Sequence, residues 1–106
     1  MPERVVVGST DELPNDGDRF IVEVDEKPIA VFNIGGEFFC IDDVCTHDDG
    51  PVAEGDIYNS FEIECPRHGA RFDIRTGKVL SFPAVTDVAA YPVTIEDGEI
   101  IVELPD

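Results

Sequence analysis

Cationic side chains are scarce in this chain. Seven lysines and arginines face 24 aspartates and glutamates over 106 residues, a formal net charge of −17. Phosphate backbones are bound through clusters of positive charge, so the balance argues against nucleic acid. An anionic membrane surface is disfavoured for the same reason. The charge fits docking on a basic protein surface. A solvated face in a salt-rich cytoplasm is the lesser alternative; only two of the seven basic residues are lysines. Long apolar runs are missing too. Nothing approaches the roughly 20 residues of a membrane helix. The start, "MPERVVVGS", has neither the apolar core nor the cleavage site of a signal peptide. Three cysteines are too few, and an odd number, for a disulfide scaffold. A reduced, cytoplasmic monomer is expected.

Helical periodicity is almost absent. Short β-branched and aromatic runs alternate with turn signals, which predicts an all-β chain. Residues 4–9, 19–24, 27–34 and 37–41 read as early strands, and "STDELP" (9–14) as one helical turn stopped by Pro14. Gly35-Gly36 and Asp97-Gly98 are hairpin turn signals, the latter between strands at 91–96 and 99–104. These runs predict an antiparallel β-sandwich or barrel base in a single domain, 1–106. The middle, 42–84, reads as a small inserted subdomain with strands at 61–65, 70–74 and 78–82 and a turn at Thr76-Gly77.

Histidine is rarer still: the chain has two, and each sits beside a cysteine. "CTH" gives Cys45-x-His47 and "CPRHG" gives Cys65-x-x-His68. Each stretch offers one sulfur and one nitrogen, so a metal site needs both. Zinc accepts two Cys and two His, but its usual spacing keeps the cysteines together and the histidines together. A two-iron, two-sulfide cluster with two thiolates on one iron and two imidazoles on the other explains why each stretch is mixed. The third cysteine, Cys40 in "EFFCI", has apolar neighbours and reads as core packing. Asp42, Asp43, Asp48, Asp49, Glu54 and Asp56 crowd the first stretch, as a solvated face or a docking face.

The pattern "CTH…CPRHG", with "EGDI", "ARFDIRTGKVLSFPA" and "YPVTIEDGEIIVEL", resembles the Rieske-type ferredoxins of bacterial ring-hydroxylating dioxygenase systems. The resemblance covers nearly the whole chain. It implies a Rieske fold, with 42–84 as the cluster-binding part, and one [2Fe–2S] cluster held by Cys45, His47, Cys65 and His68. Gly69, Ala70, Phe72 and Pro83 would surround it, Pro83 in a loop closing over the cluster. The respiratory members have a disulfide between the two loops and serine and tyrosine hydroxyls on the cluster sulfurs. Those positions correspond here to Gly50 and Arg67, and to Ala70 and Phe72.

The implied function is one-electron transfer from an NAD(P)H-dependent flavoprotein reductase to a terminal non-heme iron oxygenase. Both partners would dock through basic surfaces. Oxygenase chemistry in this chain is excluded, because a mononuclear iron needs two further histidines and a carboxylate. The small subunit of an assimilatory nitrite reductase, or a redox partner in another pathway such as cluster assembly, are the alternatives.

Overall fold

The computed structural model describes residues 3–44, 52–66, 69–82, 84 and 86–104. Among them are eleven strands: β1 (Glu3–Ser9), β2 (Arg19–Val24), β3 (Lys27–Ile34), β4 (Glu37–Asp42), β5 (Ile57–Tyr58), β6 (Glu62–Glu64), β7 (Arg71–Asp73), β8 (Val79–Ser81), β9 (Ala90–Tyr91), β10 (Val93–Glu96) and β11 (Glu99–Leu104). One 3-10 turn, Thr10–Glu12, is capped by Ser9, whose hydroxyl accepts from the Asp11 N–H while Glu12 accepts from the Ser9 N–H. The strands form three antiparallel sheets: β1-β11-β10, β2-β3-β4-β9 and β5-β6-β7-β8.

The order of these layers follows from alternation along β3 and β4. Successive strand residues point to opposite faces. In β3, Ile29 and Val31 join one core with Cys40, Tyr91, Ile100 and Val102. Ala30 and Phe32 join the other, with Ile41, Ile63, Cys65 and Phe72. The second sheet is therefore the middle layer, buried on both faces. That is why "IAVF" is continuously apolar where a half-exposed strand would alternate. Its lower face closes the sandwich; its upper face is the floor on which the β5–β8 sheet rests.

The turns follow from the dipeptides that make them. Gly35 and Gly36 have φ of 63° and 94°, and Asp97 and Gly98 have 52° and 79°, the left-handed pair that a tight hairpin needs. The β2–β3 turn uses Asp25 and Glu26 at φ 51° and 67°, without glycine.

Two features differ from the sequence reading. The strand expected over 91–96 is two strands. Pro92 has no N–H for the ladder, so the chain switches sheets there: Tyr91 pairs with Cys40, and Val93 pairs with Val102. The pair Ile57–Tyr58 adds a short strand against Glu62–Ile63 that the sequence pattern does not flag.

Candidate metal centre

The second Cys/His stretch leaves β6. The Cys65 N–H donates to the Ala70 carbonyl at 2.7 Å, and the Gly69 N–H donates to the Cys65 carbonyl at 3.0 Å. Gly69 sits at φ 80°, the left-handed region that favours glycine. The turn thus closes on itself with both backbone groups of Cys65 satisfied. Its thiol is free of any disulfide and 1% exposed. Ala70, Phe72 and Ala84 share the core around it. Of the residues expected at the centre, Cys65, Gly69, Ala70 and Phe72 are thus brought together. Cys45, His47, His68 and Pro83 lie outside the described residues. Cys40 lies in the opposite core and has no place at this site.

The ends of the first stretch are held by one carboxylate. Asp43 is 5% exposed; its Oδ1 accepts from the Val52 N–H at 2.9 Å and the Ala53 N–H at 2.7 Å. Its own N–H donates to the Pro28 carbonyl at the start of β3, at 3.0 Å. This corrects the reading of the carboxylates as one solvated or docking face. Asp43 is buried because two amide donors and a ladder acceptor replace its water. Asp42 accepts from the Tyr91 hydroxyl at 2.5 Å. Glu54 and Asp56 are exposed, as expected; Asp48 and Asp49 lie outside the described residues.

Arg19 was legible in the sequence only as a strand residue. Its guanidinium donates to the carbonyls of Ala53, at 2.8 Å, and Gly55, at 2.7 Å. It leans over the Phe32 ring, 5.7 Å from the centroid. No local pattern signals this, because the contacts span more than thirty residues. Arg71 of β7 stacks on Tyr58 at 3.9 Å and donates to Glu64 at 3.2 Å. The far end of the sheet is closed by Asp73. Its burial opposes ionisation, but hydrogen bonds from the Arg75 side chain and backbone outweigh this and hold its carboxyl below the usual range.

After β8 the chain turns outward. Ser81 accepts the Arg71 N–H at 3.1 Å, whereas Phe82 is 80% and Leu80 41% exposed. An exposed phenylalanine beside an exposed leucine in so charged a chain is a local apolar patch.

A family model described as the Rieske [2Fe-2S] domain matches residues 3–92. The chain belongs to the Rieske family. Its relatives include the 3-phenylpropionate/cinnamic acid dioxygenase ferredoxin subunit of Escherichia coli (strain K12), 42% identical over 86 residues, 80% of this chain and 81% of that protein. Among solved structures, the ferredoxin of carbazole 1,9a-dioxygenase from Nocardioides aromaticivorans IC177 superimposes with a TM-score of 0.88. It is 34% identical, covering 97% of this chain and 98% of that one. A second similar chain belongs to a complex of reduced oxygenase and oxidized ferredoxin in carbazole 1,9a-dioxygenase, with a TM-score of 0.84 and 30% identity. That match covers 92% of this chain and 99% of that one.

The Rieske chain is thus an electron-transfer protein of the ferredoxin class and not itself a catalyst. Its cofactor is a Rieske-type [2Fe–2S] cluster. The described part of the site fits that cofactor. A buried thiol on a closed turn, walled by apolar side chains, is what a cysteine ligand shielded from water needs. No helix among the described residues is long and apolar enough to cross a membrane.

Proposed function

We propose that Cys45 and Cys65 hold one iron and His47 and His68 the other, within a cluster-binding subdomain spanning 42–84. Bound there, the cluster accepts and releases one electron. The protein's own residues ligate it, wall it from water and present its histidine side to a partner. The observation that carries this reading is the burial of Cys65 on a self-closed turn, over the same core that receives Val52 and Ala53 from the end of the first loop. The two loops share one floor.

The partners are an NAD(P)H-dependent flavoprotein reductase as donor and a terminal non-heme iron oxygenase as acceptor, in the cytoplasm. Support comes from the similar ferredoxin in complex with an oxygenase. The net charge of −17, with Glu54 and Asp56 exposed beyond the first loop, fits basic docking surfaces. Phe82 and Leu80, exposed beside Pro83 in the sequence, add an apolar contact.

Iron and sulfide analysis with electron paramagnetic resonance of the reduced chain tests the ligand set. Two irons and two sulfides, with the spectrum of mixed histidine and cysteine ligation, are expected. Zinc without sulfide, or an all-cysteine spectrum, refutes it. Single-turnover mixing with candidate oxygenases, each with its own reductase, tests the partners.

A further inference from the structure

We infer that Asp43 and Arg19 form a latch that fixes the distance between the two cluster-binding loops, whether or not the cluster is bound. The inference rests on the ligand assignment above but concerns residues outside it.

The end of the first loop is gripped from both sides. The Val52 and Ala53 N–H groups donate to the Asp43 carboxylate, and the Ala53 and Gly55 carbonyls accept from Arg19. The Ala53 residue therefore bridges a buried carboxylate and a guanidinium. Charge-assisted hydrogen bonds of this kind are roughly twice as strong as neutral ones. Each clamp is rooted in the middle sheet, Asp43 through the Pro28 carbonyl of β3, Arg19 through β2 beside Phe32.

The gripped segment then lies directly on the end of β6, where the second loop begins. A Cβ on Gly55 would fall 1.5 Å from the Glu64 carbonyl oxygen, so the two backbones touch there. The Glu64 N–H donates to the Asp56 carbonyl at 2.9 Å. Glu64 is the residue before Cys65. A continuous set of contacts thus runs from the Asp43 carboxylate, two residues before Cys45, through Ala53 and Gly55 to Glu64, the neighbour of Cys65. The chain has five arginines against 24 acidic residues, yet this one is spent on two neutral carbonyls. Holding backbone position is what such a contact does. Partners bonded directly to ligands are worth about 10- to 100-fold in metal affinity, and these contacts, one step further out, fall at or below the lower end of that range.

The test uses the full chain with Arg19→Gln, Arg19→Lys and Asp43→Asn. The surface pair Arg4 and Glu96, remote from the loops, supplies the control Arg4→Gln. In the cluster-free chain, amide exchange of Val52 and Ala53 should be slow in wild type and speed up in Asp43→Asn. In the loaded chain, the visible absorption should decay up to about 10-fold faster under an iron chelator in Arg19→Gln. Its reduced-state resonance lines should broaden as ligand geometry spreads. Arg19→Lys should recover part of the lifetime, and Arg4→Gln should match wild type. An Arg19→Gln chain with wild-type lifetime and line shape overturns the latch. If Asp43→Asn fails to fold, the Arg19 pair decides alone. If wild type takes no cluster, the ligand assignment falls, while unprotected Val52 and Ala53 amides would overturn the latch separately.

Discussion

Cys40 faces Tyr91 across the β4–β9 pair, with both side chains in the lower core. Burial, and secondarily the charge of Asp42, pushes the Cys40 thiol up to about 12. Tyr91 is pushed up as well, first by burial and then by its hydrogen bond to Asp42. Neither group ionises at neutral pH, and a protonated thiol is neither a ligand nor a nucleophile. Cys40→Ser should therefore leave the visible spectrum of the cluster unchanged. It should lower stability by roughly 1–3 kcal/mol, because a hydroxyl replaces sulfur in an apolar site. Chemical denaturation and an absorption scan check both. A folded variant without cluster absorption would show that Cys40 is a ligand.

Asp73 gives a pH signature of its own. The residue is 8% exposed, and its carboxyl is held below the ordinary value of 3.8 when folded. A depressed carboxylate contributes stability that is complete above its unfolded value and disappears as pH falls through its folded value. Asp73→Asn should therefore destabilise the chain at pH 7. The gap to wild type should narrow below about pH 4. Paired thermal melts from pH 7 to pH 2 measure it. A gap that stays constant down to pH 2 would mean that the loss is packing rather than charge.

Much of the fold is legible because its signals are local. Gly35-Gly36 and Asp97-Gly98 mark their hairpins through the φ values that only a few residue types adopt readily. The run "IAVF" marks a strand covered on both faces. What the sequence hides is long-range or unconventional. The Asp25-Glu26 turn lacks the glycine that marks the other two hairpins, and Glu26 has no preference for positive φ. Pro92 reads as one more strand residue until the two sheets it joins are known. Asp43 sits in a run of acidic residues, and only the fold distinguishes the one whose oxygen meets two amides. Arg19 is hidden for the same reason. For the candidate ligands, spacing carries the assignment, and the structure contributes the setting of Cys65.

Docking on a partner should combine charge and apolar contact. The net charge of −17 steers a basic partner from a distance, and salt shortens that reach to about 10 Å at 0.1 M and 3 Å at 1 M. Association rates with the oxygenase should fall as salt rises. Glu54→Gln with Asp56→Asn should flatten that slope. Phe82→Ala should instead weaken binding by a similar factor at every salt concentration, because its contribution is not screened. Stopped-flow mixing across ionic strength separates the two. A rate independent of salt would favour a merely solvated acidic surface.

The redox potential follows from what surrounds the cluster. Rieske centres span roughly −150 to +300 mV, and hydrogen bonds to the cluster sulfurs stabilise the added electron and raise the value. Ala70 and Phe72 stand where the respiratory members carry serine and tyrosine. Both are fully buried in the core with Cys65, and neither side chain has a hydrogen to donate. With no cysteine at 50 or 67, the loop-linking disulfide of those members is absent too. Asp43 and the exposed Glu54 and Asp56 add negative charge near the first loop, which further disfavours reduction. The midpoint near pH 7 should lie at about −100 mV or lower. A potential in that range suits the proposed supply from NAD(P)H through a flavin and is too low to oxidise quinols. Cyclic voltammetry checks this, and a midpoint clearly above zero refutes it. Ala70→Ser with Phe72→Tyr should raise the midpoint by restoring the two donors. If the new hydroxyls are seen bonded to the sulfurs and the midpoint does not move, charge and solvent exposure rather than hydrogen bonding set the potential.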